Sequence, residues 1–96
     1  MTKNRKSASV LKYEENQDIS PRLVAKGKGT IADQILKEAE KNKIPIRKDP
    51  SLSELLSQLE INQTIPEELY QAVAEVFAFI YQVDRITSQE IVFKDE

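Results

Sequence analysis

Glycine limits this chain more than any other residue. Only Gly27 and Gly29 occur in 96 residues, and they stand two apart. Glycine reaches backbone conformations closed to other residues, so such a pair marks a place where the chain must turn sharply. Ahead of it runs Arg22-Leu23-Val24-Ala25-Lys26, a short apolar stretch introduced by Pro21 that reads as a strand. Behind it Ile31, Ala32, Ile35, Leu36 and Ala39 recur at helical spacing, with Lys37, Glu38, Glu40 and Lys41 on the wet side. This spacing predicts a helix over 30–42, its first turn capped by the Thr30 hydroxyl on the Asp33 amide. Ile44-Pro45-Ile46 follows as a short strand in which Pro45 offers no amide to a neighbour. Strand 22–26, helix 30–42 and strand 44–46 together are long enough for a right-handed parallel crossover. A chain committed to that crossover is an α/β protein.

The remaining elements follow from the same rules. Ser7 to Tyr13 reads as a strand, and the polar loop Glu14-Glu15-Asn16-Gln17-Asp18 makes it an antiparallel neighbour of the strand at 22–26. Asp49-Pro50 starts a second helix, with Asp as cap, Pro at the first helical position and Leu52, Leu55, Leu56 and Leu59 as the buried stripe. Pro66 opens a third, with Glu67 and Glu68 at the positive end of its dipole and Leu69, Val73, Val76, Phe77 and Ile80 on its apolar face. Phe77, Phe79 and Tyr81 advance by two along this helix, so they cannot all face one core, and an exposed aromatic there points to a contact surface. Ile91-Val92-Phe93 in the tail fits either a docked strand or a loose end. The expected architecture is a small mixed β-sheet of three to four strands packed with three to four helices. A disordered basic arm spans 1–6, the folded unit 7–82 and a tail 83–96.

Composition narrows the chemistry. There is no Cys and no His, which removes disulfides, thiolate metal sites, the commonest general base and the commonest neutral metal ligand. No metal, cofactor or small-molecule substrate is expected, and the chain reads as a non-enzyme. Fourteen basic residues against 16 acidic ones leave it near neutral, unlike a general nucleic-acid binder. Lys3, Arg5, Lys6 and Lys12 nonetheless gather in the first dozen residues without an acid among them. No stretch reaches the roughly 18 apolar residues of a membrane span, so a cytoplasmic location is expected. Lys26-Gly27-Lys28-Gly29-Thr30 links a strand to a helix as a phosphate loop does, but it lacks the spacing and the magnesium-holding acid of one. The paired acids Glu14/Glu15, Glu67/Glu68 and Asp95/Glu96 read as solvated charge.

Several segments in fixed order resemble one family. Val10-Leu11-Lys12-Tyr13, Ser20-Pro21-Arg22-Leu23-Val24-Ala25-Lys26-Gly27, Ile44-Pro45-Ile46, Ile65-Pro66-Glu67-Glu68-Leu69-Tyr70 and Ala72-Val73-Ala74-Glu75-Val76 are similar to the cytosolic domain of FlhB/YscU type III secretion proteins. The resemblance covers about residues 7 to 82. Members of that family carry a four-helix membrane domain and an Asn-Pro-Thr-His motif whose Asn attacks its own carbonyl to break the chain. Here the equivalent stretch is Lys3-Asn4-Arg5-Lys6, with neither Pro nor His, so the resemblance implies a stand-alone, non-cleaving relative.

The implied role is that of a protein-binding accessory of the flagellar or type III export apparatus, docking export substrates or gate components. A monomer is expected, without a membrane segment of its own and open to peripheral association with the membrane export gate. The family docks substrates in a small apolar depression between the loop before the second strand and the last long helix. Residue by residue this implicates Ser20, Pro21, Ala74 and Phe77, where the family more often has Ala in place of Ser20 and Leu in place of Phe77. The alternative from another class is a small nucleic-acid- or ribosome-associated protein using the basic arm from Lys3 to Lys12.

Overall fold

The computed structural model describes residues 6–14, 20–81 and 88–95. Four strands and three helices follow in the order β1 (Ser7–Glu14), β2 (Arg22–Lys28), α1 (Thr30–Lys41), β3 (Ile46–Lys48), α2 (Pro50–Leu56), α3 (Tyr70–Ile80) and β4 (Ser88–Lys94), with a 3-10 turn at Glu67–Leu69 leading into α3. The strands form one mixed sheet in the order β2-β1-β4-β3. β1 runs antiparallel to both β2 and β4, while β3 runs parallel to β4. The β2–α1–β3 crossover is therefore parallel, but it passes over two intervening strands.

Period-two alternation divides the strands between two cores. Leu11, Leu23, Ile91 and Phe93 join Leu52, Leu56, Leu59, Ile65, Val73, Val76 and Phe77 on the side of α2 and α3. Ala8, Val10 and Val92 join Ala32 and Ala39 on the side of α1. A β-bulge shifts the register between Val10 and Leu11, which leaves Val24 as an extra residue in β2. Both Val24 and Ala25 consequently lean on the α1 side.

The two glycines act differently. At Gly29, φ is +60° and ψ −126°, a conformation reserved in practice for glycine. At Gly27 the constraint is space, because a Cβ would stand 2.2 Å from Ile31 Cγ2. Helix α1 starts at Thr30 with Gly29 at its N-cap and no side-chain cap bond; the Asp33 amide donates to the Gly29 carbonyl (3.1 Å), not to the Thr30 hydroxyl expected from the sequence. Asp49 behaves as predicted, accepting from the Leu52 amide at 3.1 Å with Pro50 at the first helical position.

Other expectations shift for physical reasons. The third strand lies at 46–48 in place of 44–46: Pro45 has no amide, and its carbonyl accepts from Val92 N (2.9 Å) before the ladder begins. β2 runs on to Lys28, carried by its pairing with Ser7. Ile31 and Leu55, assigned to buried stripes, are 55% and 45% exposed, since each sits at the rim of its helix face. Leu59 is buried but lies past the end of α2.

The largest correction concerns the tail. Residues 88–94 are a docked strand with Ile91, Val92 and Phe93 fully buried, so a folded unit closing at residue 82 would omit a central strand. The basic arm is described only at Lys6, whose ammonium meets the Asp33 carboxylate at 3.0 Å; residues 1–5 lie outside the described residues.

Both sheet edges are managed. Along β2, residues 62–65 lie antiparallel, with Leu23 N donating to Gln63 O (2.9 Å), Asn62 N to Leu23 O (2.6 Å) and Ile65 N to Pro21 O (3.0 Å). At the other end β3 is three residues long, charged at Arg47 and Lys48 and preceded by Pro45.

Truncating a residue of the docked strand should expose its weight. Phe93→Ala is expected to cost about 3–5 kcal/mol, while Leu55→Ala, at the exposed rim, should stay within roughly 0.5 kcal/mol. Urea titration followed by circular dichroism measures both, and near-equal costs would contradict the described packing.

Candidate functional site

One depression of about 280 Å³ opens where three elements converge, lined by Tyr13, Ser20, Pro21, Ile65, Tyr70, Ala74, Phe77 and Gln89. Its helical wall follows from spacing: Tyr70, Ala74 and Phe77 stand at i, i+4 and i+7 on α3 and so form one stripe. Val73 and Val76 fall on the adjoining stripe and enter the core. The opposite wall is the entry to β2. There Ser20 is buried and Pro21 half-buried, and the Pro21 carbonyl is fixed by the Ile65 amide at 3.0 Å. Tyr13 and Gln89 are register partners across β1 and β4. Small Ala74, itself exposed, leaves the gap into which Phe77 and Tyr70 look.

All four residues singled out in the sequence, Ser20, Pro21, Ala74 and Phe77, thus line the same depression. Phe77 also belongs to the core, being only 7% exposed. Sequence reasoning missed Tyr13, Ile65, Tyr70 and Gln89. Tyr70 was within reach, since it completes a helical stripe with Ala74 and Phe77. Tyr13 and Gln89 were not, because their adjacency exists only once β4 is placed.

Beside the depression, Phe77 and Tyr81 stack with ring centroids 6.3 Å apart and planes at 22°. The Tyr81 hydroxyl donates to the Glu90 carbonyl at 2.9 Å, tying the end of α3 to β4 next to Gln89. Burial pushes this hydroxyl above its ordinary pKa, and the nearby Glu90 charge adds to the shift.

Other sequence candidates resolve without chemistry. Lys26 donates its ammonium to the carbonyls of Ser57 (3.1 Å) and Leu59 (2.7 Å), which accounts for it as a tie on the chain leaving α2. Lys12 faces Glu14 at 3.7 Å. Among the described residues no cluster of three or more acidic groups could hold a metal ion, and no helix is long and apolar enough to cross a membrane. Phe79 is 68% exposed, so the aromatic run does present one ring outward.

A four-stranded mixed sheet with this helix arrangement is the fold of an FlhB-type C-terminal domain. The crystal structure of the PscU C-terminal domain superposes with a TM-score of 0.72 and 28% identity, covering 77% of this chain and 95% of that one. A sequence model of the FlhB HrpN YscU SpaS Family matches residues 5–80, and the chain belongs to that family. Among its relatives, the uncharacterized protein YlqH of Bacillus subtilis is 48% identical over 79 residues, or 82% of this chain and 85% of YlqH. The flagellar biosynthetic protein FlhB of Escherichia coli is 42% identical over 76 residues, covering 78% of this chain and 20% of FlhB. The chain thus spans about a fifth of the FlhB length.

The tyrosine clamp gives a pH test. A proton held more tightly in the folded state contributes its full stability below about pH 10 and loses it as pH climbs through the raised folded value. Tyr81→Phe should therefore lower stability at neutral pH by about 0.5–1.5 kcal/mol through the lost hydrogen bond. It should also flatten the alkaline fall of the melting temperature relative to the parent. Parallel alkaline branches in the two proteins would remove the clamp from the account.

Proposed function

We propose that this protein is a non-enzymatic, monomeric binding module of the flagellar or type III export apparatus, working on the cytoplasmic side. Its depression between Pro21 and α3 docks an apolar side chain of an export substrate or of another apparatus protein. The observation that supports this reading is the convergence of Ser20, Pro21, Ala74 and Phe77 on one opening, its walls largely apolar and its proline wall fixed. A rigid, preformed concavity lined by a few aromatic and aliphatic groups costs little ordering on binding. Such a site selects by shape, and Phe77 fills more of it than a leucine would.

The basic-arm reading finds no comparable support. Lys6 and Lys12 are each turned toward a carboxylate of the same chain, Asp33 and Glu14. Asn4 is followed by Arg5, and a chain break there is not part of the proposed role.

The test pairs two substitutions with a stability control. Ala74→Asp and Pro21→Asp place a charge in the depression at exposed or half-buried positions, so each should shift the melting temperature by only a few degrees. Binding of purified export substrates, followed by isothermal titration, should weaken at least tenfold, an effect of about 1.4 kcal/mol. Unchanged binding by folded variants would refute the depression as the docking site.

A further inference from the structure

The two edges of the sheet end differently. Residues 62–65 cover β2, whereas β3 has a strand partner on one side only. Which backbone groups of β3 face outward follows from its parallel ladder. Val92 N donates to Pro45 O and Asp49 N to Lys94 O, each at 2.9 Å, so residues 45, 47 and 49 turn their groups toward β4. Ile46 and Lys48 consequently aim theirs away from the sheet, and no described residue pairs with them. Pro45 costs the inner ladder an amide and leaves the outer edge whole.

Charge selects what can use this edge. Lys48 stands opposite Lys94 in the register, so two ammonium groups share the α1 side of the sheet, where like charges directly opposite repel. Arg47 emerges on the other side, in a recess of about 240 Å³ that it lines with Glu75, Val76 and Phe79. None of these three cations forms an ion pair among the described residues. A second copy of the chain would bring the same positive edge against this one, and repulsion disfavours that pairing. An acidic strand relieves the repulsion instead. Because side chains alternate along a strand, every second residue of such a guest faces the lysines, and those between face the exposed Phe79 ring.

We infer that the outer edge of β3 takes up an acidic, extended segment of a partner protein as a fifth strand. Its backbone pairs with Ile46 and Lys48, its carboxylates stand over Lys48 and Lys94, and apolar residues between them lie against Phe79. The paired stretch is short, so the complex is weak and salt-sensitive. The surface is separate from the depression, since β3 and β2 lie three strand spacings, about 14 Å, apart.

A peptide titration of the full chain, followed by NMR, tests this. The probe is a capped peptide of alternating valine and glutamate, about eight residues long, within the usual range of strands. It should bind saturably below about millimolar concentration, and the amides of Ile46 and Lys48 should exchange with solvent at least tenfold more slowly in the complex. A peptide of alternating valine and lysine should not bind. Lys48→Glu removes the like-charge pair at an exposed position, so the melting temperature should hold or rise while binding weakens at least tenfold. Absent saturation, equal binding of the lysine peptide, undiminished binding by the variant, or Ile46 and Lys48 amides left unprotected would each overturn the inference. Tighter binding of an oligouridylate, or a parent protein that sediments as a dimer paired through this edge, would overturn it as well.

Discussion

The ladders on either side of β4 join nearly the two ends of the chain, pairing residues 8–14 with 88–94 and carrying β3 along. Because its buried residues alternate, this one strand feeds both cores, Ile91 and Phe93 beneath α2 and α3, and Val92 beneath α1. Neither helical layer closes without it. Contacts of such long sequence separation form only after most of the loop-closure entropy has been spent, which favours slow, cooperative folding over piecewise assembly. The buried hydroxyl pair of Ser7 and Ser53, 3.0 Å apart, adds a polar fastening where the start of β1 passes beneath α2.

Against that late-forming centre stands a locally encoded junction. Gly29 turns the chain in a conformation that other residues avoid, and Gly27 lets Ile31 lie against the strand it follows. The same strand sends Lys26 across to the carbonyls beyond α2, so β2 organises helices on both faces of the sheet. One buried group is less well served: the Ser9 hydroxyl has no hydrogen-bond partner among the described residues, although its strand neighbours are tightly packed.

How much of this was legible depended on range. The crossover could be read because glycine punctuation and a helical stripe are local signals, and Asp49-Pro50 announced α2 for the same reason. Thr30 misled because a glycine ahead of it already supplied the cap geometry, leaving its hydroxyl nothing to replace. The tail resisted reading since Ile91-Val92-Phe93 is apolar on both faces, a pattern that a central strand and a short hydrophobic end share. Of the depression, the family resemblance brought forward Ser20, Pro21, Ala74 and Phe77. Ile65 and Gln89 depended on a loop and a strand register that no local pattern encodes.

The cover that residues 62–65 lay along β2 has a bearing on how guests can be recognised. Many proteins capture extended peptides by main-chain pairing, adding them as an extra strand at an open sheet edge. Here the β2 edge beside the depression already spends its amides and carbonyls on Gln63, Asn62 and Ile65. A segment docking there as proposed would meet side chains along Pro21 to Leu23, where the described backbone groups facing this edge are already paired. Under that proposal, affinity would come from the shape and chemistry of what the segment inserts, and sequence discrimination is sharper in that mode than when the peptide backbone provides the grip.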